Sequence, residues 1–192
     1  MHIMLFGGSF DPPHKGHISV VSHVLSAKLC DEIWFVPCGS HPFNKSFTTA
    51  DHRVNMLKSI NIPKTKVSLY EVEKEGKSFS LDTLNHYAKK HPEHTFSWLV
   101  GSDQLTSFHK WHDYTELLRQ YSVFVYPREG YPMQPLYTNM IALKDMEAVP
   151  TSSTQIRNQI SNGKDTTDQL TPEISQYIKK HSLYNATYAS TT

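Results

Sequence analysis

Apolar and polar positions along this chain fall into two alternating rhythms. Residues 3–6 (Ile, Met, Leu, Phe) form a short unbroken apolar run that stops at Gly7 and Gly8. A run of that length ended by glycine predicts a buried strand. Ile18, Val21, Leu25 and Leu29 follow at spacings of three and four, which predicts an amphipathic helix buried along that face. Ile33, Trp34, Phe35 and Val36 predict a second strand, halted by Pro37. Residues 51–60 read as a helix with Asp51 as its N-cap, and 67–70 as a short strand. The pattern continues with a helix over 81–89, a strand over 96–100, a helix over 114–119 and a strand over 122–126. Gly130, Pro132 and Pro135 make 128–135 a loop. Residues 140–143 suit a further strand, and 153–160 and 172–181 suit two closing helices.

Strands alternating with helices predict an α/β chain with right-handed crossovers and a mainly parallel sheet, helices covering both faces. A length of 192 residues fits one domain over 1–184, with the small polar stretch 185–192 fraying. Ligands of such sheets bind beyond the carboxyl ends of the strands, near the point where strand order reverses. Functional residues are therefore expected just after strands.

Composition narrows the classes. Lys and Arg number 19 against 18 Asp and Glu, a formal net charge of +1, which argues against a dedicated nucleic-acid binder. No apolar run approaches membrane length, and the N-terminal run is too short for a signal-peptide core. Cys30 and Cys38 are too few for a disulfide framework and lack Cys-x-x-Cys spacing, so a cytoplasmic setting is expected. Histidine is the outlier, with twelve residues, and invites thoughts of metal or acid–base chemistry.

The chemistry concentrates in Gly7-Gly8-Ser9-Phe10-Asp11-Pro12-Pro13-His14-Lys15-Gly16-His17, between the first strand and the first helix. The glycines allow close approach of a ligand to backbone. The helix start beyond them offers free N–H groups to a phosphate. His14 and His17, three apart, can face one anion there. A turn whose histidines merely cap the helix is the plain alternative. The segment is neither a Walker loop nor a Gly-x-Gly-x-x-Gly fingerprint. Ser152 and Gln155 have the spacing of a capping box, which starts a helix near Ser153 and puts Arg157 in about its first turn. A cation there is slightly disfavoured by the helix dipole, yet suits a triphosphate.

That first segment resembles the signature of the nucleotidylyltransferase superfamily, and within it most closely the bacterial nicotinate-mononucleotide adenylyltransferases. Four more segments resemble that family in order: 51–57 (Asp-His-Arg-Val-Asn-Met-Leu), 78–84 (Ser-Phe-Ser-Leu-Asp-Thr-Leu), Gly101-Ser102-Asp103 with Phe108 and Trp111, and 152–157 (Ser-Ser-Thr-Gln-Ile-Arg). The likeness spans about residues 3–184. It implies a Rossmann-like nucleotidyltransferase fold and transfer of AMP from ATP to nicotinate mononucleotide, giving deamido-NAD and pyrophosphate in NAD biosynthesis.

By that resemblance, His14 and His17 hold the ATP phosphates, His17 nearest the α-phosphate. Gly7, Gly8 and Ser9 line the nucleotide pocket, and Gly16 permits close approach. Arg157, with Ser153 and Thr154 of its motif, is a second phosphate anchor, and Lys45 a weaker one. Asp103, after Gly101, would meet the adenosine ribose. Trp111 would stack on the acceptor's pyridine ring, whereas Trp34 and Trp98 read as core. Ser80 and His112 stand where the family commonly has Thr and Tyr, both in the acceptor segments. Nicotinamide mononucleotide or a pantetheine phosphate is therefore an alternative acceptor, and nucleotide or metal binding without turnover a further alternative. Mg²⁺ is expected to arrive with ATP, with no protein metal site. His41 and His109 stay open as neighbours of site segments. His2, His23, His52, His86, His91, His94 and His181 show no shared ligand spacing and read as surface or helix residues. Partners expected are ATP and the mononucleotide, with no nucleic acid or membrane, and an oligomeric state the sequence leaves open.

Overall fold

A computed structural model describes residues 1–39 and 48–185. Its strands are β1 (His2–Gly8), β2 (Glu32–Pro37), β3 (Thr65–Val67), β4 (Thr95–Gly101), β5 (Ser122–Tyr126) and β6 (Met140–Ala142). Its helices are α1 (Lys15–Ser26), α2 (Ala50–Lys58), α3 (Tyr70–Glu73), α4 (Ser80–Lys90), α5 (Tyr114–Gln120), α6 (Ser153–Ser161) and α7 (Pro172–Lys180). A 3₁₀ segment, Ser102–Lys110, joins β4 to α5.

The six strands pair in the order β3-β2-β1-β4-β5-β6, every pair parallel. The chain runs outward from β1 through β3, then returns to place β4 beside β1, so order reverses between these two strands. Alternate side chains of β1 enter different cores. Ile3 and Leu5 pack with Leu84 of α4 and Leu117 of α5, while Met4 and Phe6 pack with Val20, Val21 and Val24 of α1. A third cluster joins Met56 of α2 to Ile156, Ile174 and Ile178, which draws α6 and α7 back against the first half of the chain.

The parallel sheet and its two helical layers match the expectation from the sequence. Several local readings do not. The buried face of α1 is His17, Val20, Val21 and Val24; Ile18 and Leu25 are only partly covered, and Leu29 lies past the helix end. The rotation follows from His17, a polar residue that the hydrophobic pattern leaves out of the core. Thr49, not Asp51, is the N-cap of α2, and Asp51 sits inside the first turn, where a carboxylate suits the helix dipole. The short strand ends at Val67 rather than Tyr70, because Tyr70 opens α3. The 3₁₀ segment buries Ser102, Leu105 and Phe108 at a spacing of three; only two of these are apolar, too few to stand out in the hydrophobic pattern. Of the tail expected to fray, 186–192 lies outside the described residues.

Candidate active site

Gly7 and Gly8 end β1, and Gly101 ends β4, so these glycines flank the crevice at the strand-order reversal. Residues 9–14 then cross this crevice to α1. Phe10 takes a left-handed φ of 51°, a conformation that costs a non-glycine residue roughly 1–2 kcal/mol. Burial of its ring against Phe6, Phe35 and His17 offsets that cost, with the His17 ring 5.0 Å away. The loop thus has a fixed shape before any ligand arrives.

His14 is the N-cap of α1 and His17 its third residue. Their ring centroids lie 3.8 Å apart at 32°. The His14 N–H donates to His17 Nδ1 at 3.2 Å, which places the His17 proton on Nε2. His14 Nδ1 is buried without a partner; it is least costly there as a bare lone pair, which puts that proton on Nε2 too. Burial first, and then the nearby Arg128 charge, pushes the His14 pKa down to about 3. Burial, His14 and Arg128 push His17 down as well. Both rings are neutral N–H donors at pH 7. Gly16 is the small residue that this pairing needs: a Cβ there would stand 2.5 Å from Val149 Cγ1 and 2.9 Å from His14 Nδ1. The approach Gly16 permits is that of the protein's own side chains.

Distant segments lock the loop from behind. The Asp11 carboxylate accepts from the Tyr184 hydroxyl at 2.6 Å and from the Thr48 N–H at 3.2 Å. Burial and that carboxylate push the Tyr184 pKa upward, so the hydroxyl stays a donor. Buried Arg53 donates to the Ser9 carbonyl at 2.9 Å and to the Thr48 carbonyl at 3.0 Å. From α6, Ser153 Oγ donates to the Pro12 carbonyl at 2.8 Å and Arg157 Nη1 to the Asp11 carbonyl at 2.7 Å. Arg157 Nη2 reaches the hydroxyl of exposed Thr154 at 3.3 Å. The capping box is present: Gln155 N–H donates to Ser152 Oγ, and Ser152 N–H to Gln155 Oε1.

Arg128, read from sequence only as the start of a loop, enters the same space. Its Nε lies 3.8 Å from Asp103 Oδ1 and is buried without a hydrogen bond. Its backbone N–H donates to Ser102 Oγ at 2.9 Å. Arg128 thereby joins the Gly101–Asp103 turn to the histidine pair. Nothing in its local sequence signals this, since the loop after β5 brings it there.

The acceptor candidates gather separately. The Phe79 ring meets His112 at 4.3 Å, which brings the segment before Ser80 against the one after Trp111. Trp111 stacks on Phe108 at 4.8 Å and packs partly buried on the core, a more covered place than its charged neighbours suggest. Trp34 and Trp98 lie in the core, as expected. Behind Ser80, buried Glu71 accepts from Thr83 Oγ1 at 2.6 Å, and burial pushes its pKa up to about 7. A carboxyl inside the molecule is invisible in the pattern, where Glu71 reads as an ordinary polar position. Lys45 and His41 lie outside the described residues.

The donors around the histidine pair are imidazole N–H and guanidinium groups, suited to phosphate oxygens. Asp11 is committed to Tyr184 and Thr48, and Asp103 faces Arg128. This set does not fit a protein cage for Mg²⁺, which takes oxygen ligands.

Comparisons with known proteins agree with this fold. The model of the cytidylyltransferase-like family matches residues 5–159. A probable nicotinate-nucleotide adenylyltransferase of Oceanobacillus iheyensis is 35% identical, covering 95% of this chain and 96% of its own. One of Bacillus pumilus is 36% identical, covering 96% and 98%. Among solved structures, Plasmodium falciparum nicotinic acid mononucleotide adenylyltransferase complexed with NaAD superposes with a TM-score of 0.79 at 26% identity, covering 95% of this chain and 97% of that one.

Proposed function

The chain belongs to the cytidylyltransferase-like family, and from that premise we propose that it transfers AMP from ATP to nicotinate mononucleotide, giving deamido-NAD and pyrophosphate. The observation that carries this reading is the pair of neutral imidazoles at the start of α1, beside Arg128 and within reach of the α6 N-terminus.

An oxygen of the acceptor phosphate attacks the α-phosphorus of ATP. The new P–O bond forms as the bond to the β-phosphate oxygen breaks, and pyrophosphate leaves with that electron pair. No side-chain nucleophile is needed, so the protein's task is positioning and charge stabilisation. His17 Nε2–H and His14 Nε2–H donate to phosphate oxygens, His17 at the α-phosphate, and Arg128 and Arg157 supply positive charge. Gly7, Gly8 and Ser9 give backbone to the nucleotide, and Asp103 takes the ribose hydroxyls. Trp111 supports the pyridine ring, with Ser80 and His112 at its rim. Mg²⁺ carried in with ATP would be held mainly by the phosphates and water, and would supply further neutralisation of phosphate charge. We place the reaction in the cytoplasm, where ATP is supplied; both cysteines are free thiols, and no helix among the described residues is long and apolar enough to cross a membrane.

The test is a parallel assay of pyrophosphate release from ATP with nicotinate mononucleotide, nicotinamide mononucleotide and a pantetheine phosphate. Nicotinate mononucleotide is expected to give the highest kcat/KM. Absence of turnover with it refutes the assignment, and preference for another acceptor moves the assignment to that substrate.

A further inference from the structure

The amino end of the sheet, opposite the crevice, carries a second group of ligating side chains. His91, Glu93 and His94 lie in the turn between α4 and β4, with one ligand atom from each within 4.8 Å of the others. Glu93 Oε1 is 3.4 Å from His94 Nε2 and 3.7 Å from His91 Nδ1. Three donors about 2 Å from a tetrahedral zinc ion stand roughly 3.3 Å apart, so the first distance already matches, the second is close to it, and the third, within 4.8 Å, shortens on binding. The turn is held by the His94 N–H donating to the His91 carbonyl at 3.0 Å, and the two rings are nearly parallel, 5.8 Å apart.

Two features favour a cation here. His91 is the C-cap of the eleven-residue helix α4, so the ion would meet the negative end of the helix dipole. Edge contact with Trp34 at 5.8 Å holds the His91 ring.

We propose that His91, Glu93 and His94 form a binding site for a borderline divalent transition-metal ion of the Zn²⁺ class, remote from the nucleotide crevice. Two imidazoles and one carboxylate select such an ion over Mg²⁺ or Ca²⁺, which prefer all-oxygen sets. Glu93 is 61% exposed, leaving the outer coordination positions to water. β4 begins one residue after His94 and ends at Gly101, so the site lies roughly 20 Å from the crevice at the usual strand rise. His94 Nδ1 is buried without a hydrogen-bond partner. Ligation through Nε2 therefore lacks the outer support that strong metal histidines have, which sets the expected affinity in the micromolar range.

Co²⁺ alone, titrated into the full-length protein, is the direct probe. One equivalent is expected to give visible d–d bands that Zn²⁺ abolishes by displacement. Glu93→Gln should weaken Co²⁺ binding at least tenfold and leave pyrophosphate release with Mg²⁺-ATP within twofold of wild type. The exposed position of Glu93 keeps that variant folded, which circular dichroism checks. Combined His91→Ala and His94→Ala should abolish the bands, and His23→Gln on α1 should leave them intact. No Co²⁺ binding up to millimolar concentration overturns the site, as does binding that survives in Glu93→Gln and in the double variant. Bands that disappear only on replacement of His14 and His17 would place the metal at the crevice and overturn it equally.

Discussion

Two histidine pairs in this chain share one spacing and differ in nearly everything else. His14 and His17 open α1 beyond the carboxyl end of β1; His91 and His94 follow α4 before the amino end of β4. The first pair is buried, with rings 3.8 Å apart and Arg128 beside them, and the second is partly exposed, with rings 5.8 Å apart and Glu93 between. A helix start, a guanidinium and burial make neutral N–H donors for an anion. A helix end and a carboxylate make lone-pair donors for a cation. Spacing sets which side chains can meet, and the surrounding charge sets what they attract.

The largest expected effect separates the pairs by activity. His17→Ala should lower kcat for pyrophosphate release about 10²–10³-fold, the usual loss for one preorganised donor on a developing oxyanion, whereas His94→Ala should stay within twofold. Turnover that survives His17→Ala would remove the catalytic role given to the pair, and ATP binding without turnover in the wild type would make the chain a nucleotide-binding protein.

Acid stability gives the next contrast. The folded-state pKa values of His14 and His17 lie below the ordinary 6.5. Above 6.5 both states are neutral; as pH falls from 6.5 towards about 3, the unfolded chain takes protons that the folded one refuses, and stability is lost. Each ring contributes up to about a tenfold change in the folding equilibrium per pH unit. Glu71, raised to about 7, acts in the opposite sense, since its contribution is lost as pH rises from 4.5 through 7. The informative quantity is therefore the slope difference between wild type and His14→Ala in denaturant melts from pH 7 to 4. Equal slopes would mean that the seat is solvated.

The smallest effect tests whether the acceptor side is separate from the pair. Trp111→Ala should raise KM for nicotinate mononucleotide about 2–30-fold, the range of a lost stacking and cation–π contact, while KM for ATP holds steady. Parallel rises in both would mean that the change disturbs the fold through Phe108 rather than the pyridine site.

Much of the crevice was legible in the sequence because its key parts are local. The double glycine, the two histidines and the start of the helix they open lie within eleven consecutive residues, and the Ser152–Gln155 capping box lies within four. What holds them was not legible. Asp11 meets Tyr184 across 173 positions, and Arg157 reaches the Asp11 carbonyl across 146. His91 and His94 read as unrelated surface residues because the hydrophobic pattern is blind to a turn that folds three polar side chains together. The apolar pattern places the α1 face about one position off for a similar reason: His17 belongs to the core side, and a pattern of apolar residues leaves it out.

The sequence by itself determined the alternation of strands and helices, the glycine-flanked phosphate seat and the family to which these motifs point, since each rests on short-range periodicity and backbone chemistry. The tertiary structure decided the charge around that seat and the buried Asp11, Arg53 and Tyr184 lock. A parallel sheet returns the chain to the same edge after every crossover, so residues far apart in sequence become neighbours there. Their pKa values and partners are then set by burial and proximity, which no local pattern contains.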